Sequence, residues 1–130
     1  MVRPSGRKVM RAILVTAGQD VKEVNIDASL DGIYECLGCD IIDIARRSIG
    51  GQPYCFVVDD MGLLRDDPIV TAYSRSREPM LVGNLLITNE KHTPEGGDLA
   101  DLTDIDVKHI MKHVLTVQSY RGVYEVVEIG

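Results

Sequence analysis

Met80-Leu81-Val82-Gly83-Asn84-Leu85-Leu86-Ile87-Thr88 is a near-continuous apolar run. It has the length of a strand, and strands covered on both faces read this way, so it belongs in the middle of a sheet. Gly83 inside it marks a bulge or the close approach of another backbone. Beyond it, residues 89–97 read as a polar loop and 99–102 as a short strand. Thr103-Asp104-Ile105-Asp106 then forms a capping box in its acidic variant. Val107, Ile110, Met111 and Val114 recur as the stripe of a helix lying on a sheet. Asp104 and Asp106 sit at the positive end of its dipole, Lys112 and His113 toward the negative end. Ser119–Ile129 alternates around Tyr120, Tyr124 and Val126 and reads as a last strand.

Toward the N-terminus, Tyr54–Val58 and Asp40–Arg46 read as strands on either side of a turn-rich Ser48–Pro53. Met10–Thr16 is a strand closed by Ala17-Gly18, and Glu23–Asp27 alternates as a half-buried strand. Leu30, Ile33, Tyr34 and Leu37 are spaced as a helix that Asp27 or Ser29 caps and Gly38 ends; Gly32 weakens it. Residues 65–79, with Pro68 and Pro79, look irregular. The expected fold is α+β: one compact domain with a mostly antiparallel sheet and two helices packed against it. Residues 1–9 are expected to be a flexible basic tail, 10–117 the α+β domain, and 118–130 a C-terminal strand offering an edge for a homodimer.

At 130 residues the chain suits one domain with a core of its own. Its net charge is −6, yet Arg3, Arg7 and Lys8 lie in a tail without acids, which leaves about −9 on the rest. An acidic body repels phosphate, so direct nucleic-acid binding is not expected. No apolar run is long enough for a bilayer, and the first residues lack the apolar core of a secretory signal. Three cysteines do not make a disulfide framework. A cytoplasmic protein is expected, with no membrane partner.

The chemistry is densest in Val57-Val58-Asp59-Asp60-Met61-Gly62-Leu63-Leu64-Arg65-Asp66-Asp67-Pro68. Two aspartate pairs flank what resembles a hairpin turn with Gly62 at its positive-φ position. Asp59, Asp60, Asp66 and Asp67, with Arg65 as counter-charge, are therefore the candidate ligand- or partner-binding residues. Their spacing is not that of a calcium loop, and solvation of the turn accounts for them as readily. Cys36-Leu37-Gly38-Cys39 sits at a helix C-terminus, where the dipole raises a thiol pKa, so structural cysteines are expected rather than a redox pair or half a zinc site. His109 and His113 share one helix face, and solvated histidines on an exposed flank are the simpler reading. No phosphate loop and no nucleophile elbow is present.

The run Met10–Val15, the segment Asp27–Gly38, the loop after Val58, and the stretches Leu81–Ile87 and Leu102–Asp106 together resemble one family. It is the phage and plasmid family catalogued as domain of unknown function 3846, and the resemblance covers roughly residues 10–115. In that family the strand before the glycine turn ends in Asn-Glu and a Pro-Pro-Asn-like element follows; here these positions read Asp59-Asp60 and Asp67-Pro68-Ile69. The resemblance implies a phage or mobile-element accessory protein of the bacterial cytoplasm and no known reaction. The expected function is that of a small non-enzymatic binding protein acting on a host protein or small ligand, with no cofactor and no metal. Two alternatives are a metal-assisted hydrolase using the same aspartates with His109, and an acidic DNA-mimic inhibitor.

Overall fold

The computed structural model describes residues 9–64, 67–94 and 96–130. Of the expected basic tail, only Val9 lies within them, as the first residue of a strand. The order of elements is β1 (Val9–Val15), β2 (Val21–Asp27), α1 (Leu30–Leu37), β3 (Ile42–Ile49), β4 (Gln52–Asp59), a 3-10 turn (Gly62–Leu64), β5 (Val70–Ser74), β6 (Pro79–Val82), β7 (Leu85–Thr93), β8 (Gly96–Ala100), α2 (Asp104–Met111), β9 (Val114–Ser119) and β10 (Gly122–Ile129).

The α+β expectation with one sheet is corrected here: the described residues are mostly β, with two sheets and two eight-residue helices. The first sheet runs β2-β1-β7-β4-β3, with β8 pairing the outer half of β7; the second runs β6-β5-β10-β9. Neighbours are antiparallel except β10 against β5. The error has three sources. Residues 70–74 form β5 despite the prolines around them, the supposed loop after Thr88 continues as β7 and turns into β8, and the apolar stripe of α2 ends early, Val114 opening β9 instead.

Leu85–Ile87 sits where its hydrophobicity predicts, between β1 and β4. Ile87 pairs with Ile13 on one side and Phe56 on the other, and Leu86 with Leu14 and Val57. Because strand side chains alternate, these two rows face opposite layers. Ile13, Phe56 and Ile87 pack with Ala72, Val127 and Ile129 of the second sheet and Ile110 of α2. Leu14, Val57 and Leu86 pack with Ile33 and Leu37 of α1. The first sheet is thus covered on both faces, each large side chain contributing roughly 1.5–3 kcal/mol on burial.

Both helices have the caps their sequences announce. The Ser29 hydroxyl accepts from Gly32 N–H, and Thr103 and Asp106 exchange the two bonds of a capping box. Gly32 does more than weaken α1: a Cβ there would lie 2.2 Å from the Asp27 carbonyl oxygen, so glycine is what lets the helix start directly off β2.

Within residues 118–130, Gln118 and Ser119 end the edge strand β9, while β10 lies inside the sheet between β5 and β9. Val127 and Ile129 are at most 2% exposed in the core between the sheets. A chain ending at Ser119 is therefore expected to lose cooperative thermal unfolding, followed by circular dichroism. A sharp melt in that truncated chain would contradict the central role of β10.

Candidate functional site

The aspartate loop is not a hairpin, because β4 and β5 belong to different sheets. At the end of β4, Asp59 is buried; its carboxylate accepts from Met61 N–H at 2.9 Å and its own N–H donates to Asn84 O at 3.3 Å. Asp60 N–H donates to Ile41 O at 3.0 Å, and Leu64 N–H closes the 3-10 turn onto Met61 O at 3.0 Å. Gly62 lies against β6: a Cβ there would be 2.6 Å from Val82 O, and Gly83, with φ +88°, leaves room for it. This is the close backbone approach that Gly83 announces in the sequence.

Asn84 joins the surroundings of the loop. Its Oδ1 accepts from Ala17 N–H at 2.8 Å and its Nδ2 donates to Leu37 O at 2.9 Å. A cavity of about 250 Å³ opens beside it, lined among others by Gly38, Asp59, Asp67, Ile69 and Asn84. Asp59 and Asp67 therefore share one cavity, whereas exposed Asp60 does not line it. Arg65 and Asp66 lie outside the described residues. Asp67, in the left-handed region at φ 57°, is held by the guanidinium of Arg121, Nε to Oδ2 2.9 Å, and that guanidinium stacks on Tyr120 at 4.6 Å. Beyond this root the loop presents Met61, Leu63 and Leu64 to solvent, the two leucines 74% and 75% exposed.

A second concave region escaped the sequence reading. Two clefts of about 410 and 470 Å³ meet at the ion pair of Arg46 with Glu90, Nε to Oε1 2.8 Å. One has Ile33, Ile42, Ile44 and buried Cys55 in its lining; the other has Tyr54, Asn89, His92 and Asp106. Arg46 holds the Glu90 carboxyl below the usual range, while burial first and Glu90 second push the Cys55 thiol up. Burial, with Asp106 adding to it, pushes the Tyr54 phenol up to about 12. These residues come from α1, β3, β4, β7 and α2. Asp106, as the cap of α2, is the member of this group that the sequence signalled, and for another reason.

The sequence reading placed His109 and His113 on an exposed flank, but both rings are half-buried. His109 Nε2 lies 2.7 Å from Ile49 O at the β3–β4 turn. That turn is one end of β4 and Asp59 is the other, about 23 Å apart at strand rise. Among the described residues, the convergence of Asp59 with His109 that a metal-assisted hydrolase requires does not occur. Among the described residues, no three His, Cys, Asp or Glu side chains come together to hold a metal. Cys36 and Cys55 are free thiols. Cys39 packs in the apolar cluster under α1, and burial pushes the Cys36 thiol up, away from the thiolate a redox pair needs. No helix among the described residues is long and apolar enough to cross a membrane.

The fold and loop define a small two-sheet β domain with concave and apolar surfaces around its strand ends. Residues 10–115 match the family model described as Domain of unknown function (DUF3846), and the chain belongs to that family. Comparison with curated proteins and with solved structures gives no match.

Asp106 supplies a pH prediction. Burial opposes its charge, but Thr103 N–H, the Asn89 amide, the Thr103 hydroxyl and the Tyr54 phenol all donate to it and hold its pKa below the usual carboxylate range. A lowered folded pKa gives stability that is complete above the unfolded value, about 3.9, and is lost as pH falls through the folded value. Asp106→Asn is expected to cost about 1–3 kcal/mol near neutral pH. The gap to the parent chain should narrow below about pH 4. Urea melts across pH check this.

Proposed function

We propose that this chain is a non-enzymatic binding module that captures a host protein through the Met61–Leu64 turn and the adjacent Asp60. The setting, an accessory protein of phage or mobile-element type in the bacterial cytoplasm, is carried over from the family resemblance. The observation that carries the reading is the exposure of Leu63 and Leu64 on a 3-10 turn whose root is fixed. Single exposed leucines are ordinary, but adjoining apolar side chains held in solvent mark an interaction surface.

The root is rigid because the Asp59 carboxylate is bonded to Met61 N–H and because Gly62 is packed on Val82 and Gly83. Anchors already held in place lose less freedom when a partner is bound. A protruding tip cannot enclose a small molecule, which needs a concave pocket, so a macromolecular partner is favoured over a small ligand. Asp60 on the rim favours a partner with basic groups around an apolar recess. The carboxylates are poorly placed for hydrolysis: Asp59 accepts from the backbone and Asp67 is paired with Arg121.

Leu63→Asp and Leu64→Asp should each melt like the parent chain, since both side chains are solvent-exposed. Each should weaken capture of the partner by tenfold or more, about 1.4 kcal/mol, in a pull-down from a bacterial host lysate followed by titration of the recovered protein. Asp60→Ala should weaken capture less and reduce its salt dependence. Undiminished capture by both leucine variants would remove the turn from the interface.

A further inference from the structure

We propose that the free edge of β9 pairs with β9 of a second copy of this chain, antiparallel about a two-fold axis through Thr116, joining two four-stranded sheets into one. Among the described residues, β9 pairs only with β10. Glu128 N–H donates to His113 O at 2.9 Å, whereas Glu125 N–H donates on the opposite side of β10, to Gln19 O at 3.1 Å. Even-numbered residues of β10 therefore turn their backbone groups toward β9. With Val126 opposite Leu115 and Tyr124 opposite Val117, Leu115 and Val117 turn theirs back toward β10. Val114, Thr116 and Gln118 turn theirs outward, and among the described residues no other element bonds to them.

Other strand edges are guarded. β2 carries Lys22, Glu23 and Asp27, β8 carries Asp98, and β6 is four residues long and opens on Pro79. On β3, the Asp43 and Arg47 side chains fold back onto the backbone. β9, Val-Leu-Thr-Val-Gln-Ser, has no charge, no proline and an unbroken register with β10. Its pattern is also self-complementary. An axis through Thr116 sets Thr116 opposite Thr116, and Val114 opposite Gln118, of the second copy. Outward N–H and C=O groups then meet outward ones, and this register is the one that uses all three residues. It also sets Leu115 against Val117 of the second copy, in the closer pairs that exchange no backbone bonds. Both side chains lie on the sheet face turned away from Val127 and Ile129, lining a concavity of about 390 Å³ with Tyr73. The apolar seam therefore runs on from one copy into the other. The chain carries a net charge of −6, and a seam without carboxylates is where two acidic copies meet with no like charges opposed.

The test is sedimentation velocity of the full chain across the micromolar range, with amide hydrogen exchange followed by NMR. The chain should sediment as a dimer, and the amides of Val114, Thr116 and Gln118 should exchange more slowly as concentration rises. Thr116 is exposed, so Thr116→Lys and Thr116→Glu should melt as the parent chain does. Each variant sets like charges against each other at the axis and should sediment as a monomer. An equimolar mixture of the two should recover the dimer, because opposite charges then meet there. Leu63→Asp, outside the seam, should dimerise as the parent does. A parent chain that stays monomeric throughout the range overturns the proposal. So does a dimer that both Thr116 variants retain, a mixture of them that stays monomeric, or a dimer lost in Leu63→Asp.

Discussion

A strand buried on both faces has to begin somewhere, and at the start of β7 the side chain of Asn84 meets the backbone groups that would otherwise be left without partners. Its side-chain amide joins Ala17, just past β1, to Leu37 at the end of α1, while its backbone carbonyl accepts from the N–H of Asp59 in β4. One residue thus ties together three elements, two through its side-chain amide and one through its backbone. Buried polar groups of this kind are costly if left unmet, by about 1–3 kcal/mol each. The glycine contact between residues 62 and 83 follows from the same junction, since the chain entering β7 must pass under the loop leaving β4. The solvent-exposed turn is positioned by this arrangement, which is why an exposed segment can be rigid.

The open edge at β3 is managed differently. Asp43 Oδ1 accepts from Ile44 N–H at 2.9 Å, the Arg47 guanidinium donates to Arg46 O at 3.0 Å, and Gly130 N–H donates to Ser48 O at 2.8 Å. Charged side chains folded back onto their own strand occupy groups that another strand would need, a common guard against edge-to-edge association. The clefts on either side of Arg46 therefore lie beside a strand that resists extension, and their contacts are made by side chains.

Much of this was legible locally. The run Leu85–Ile87 announces a doubly covered strand because burial on both faces leaves no polar alternation. The caps at Ser29 and Thr103 are legible because their bonds span only three residues. What was illegible is non-local. Whether 70–74 is strand or loop depends on β10, more than fifty residues away, which supplies its parallel partner. Val114 continues the apolar stripe of α2 in sequence, but pairing with Val127 draws it into β9 instead. The candidate site divides in the same way. Asp59 and Asp67 could be picked out as charges on a loop, while the pairing of Asp67 with Arg121, the apolar tip at Leu63 and Leu64, and the turn of His109 toward Ile49 all depend on where distant strands end.

The family match stops at Leu115, two residues into β9, yet β10 supplies Val127 and Ile129 to the core between the sheets and is the strand against which both β5 and β9 pair. During synthesis the first sheet can pair from β1 to β8, but one apolar face stays uncovered until Ile129 has left the ribosome. At roughly 5–20 residues added per second, that face is exposed for seconds on every nascent chain, an interval in which chaperone access and crowding by neighbouring chains bear on yield. The order in which the strands are made, as much as their contacts, therefore shapes how this protein reaches its fold in a cell.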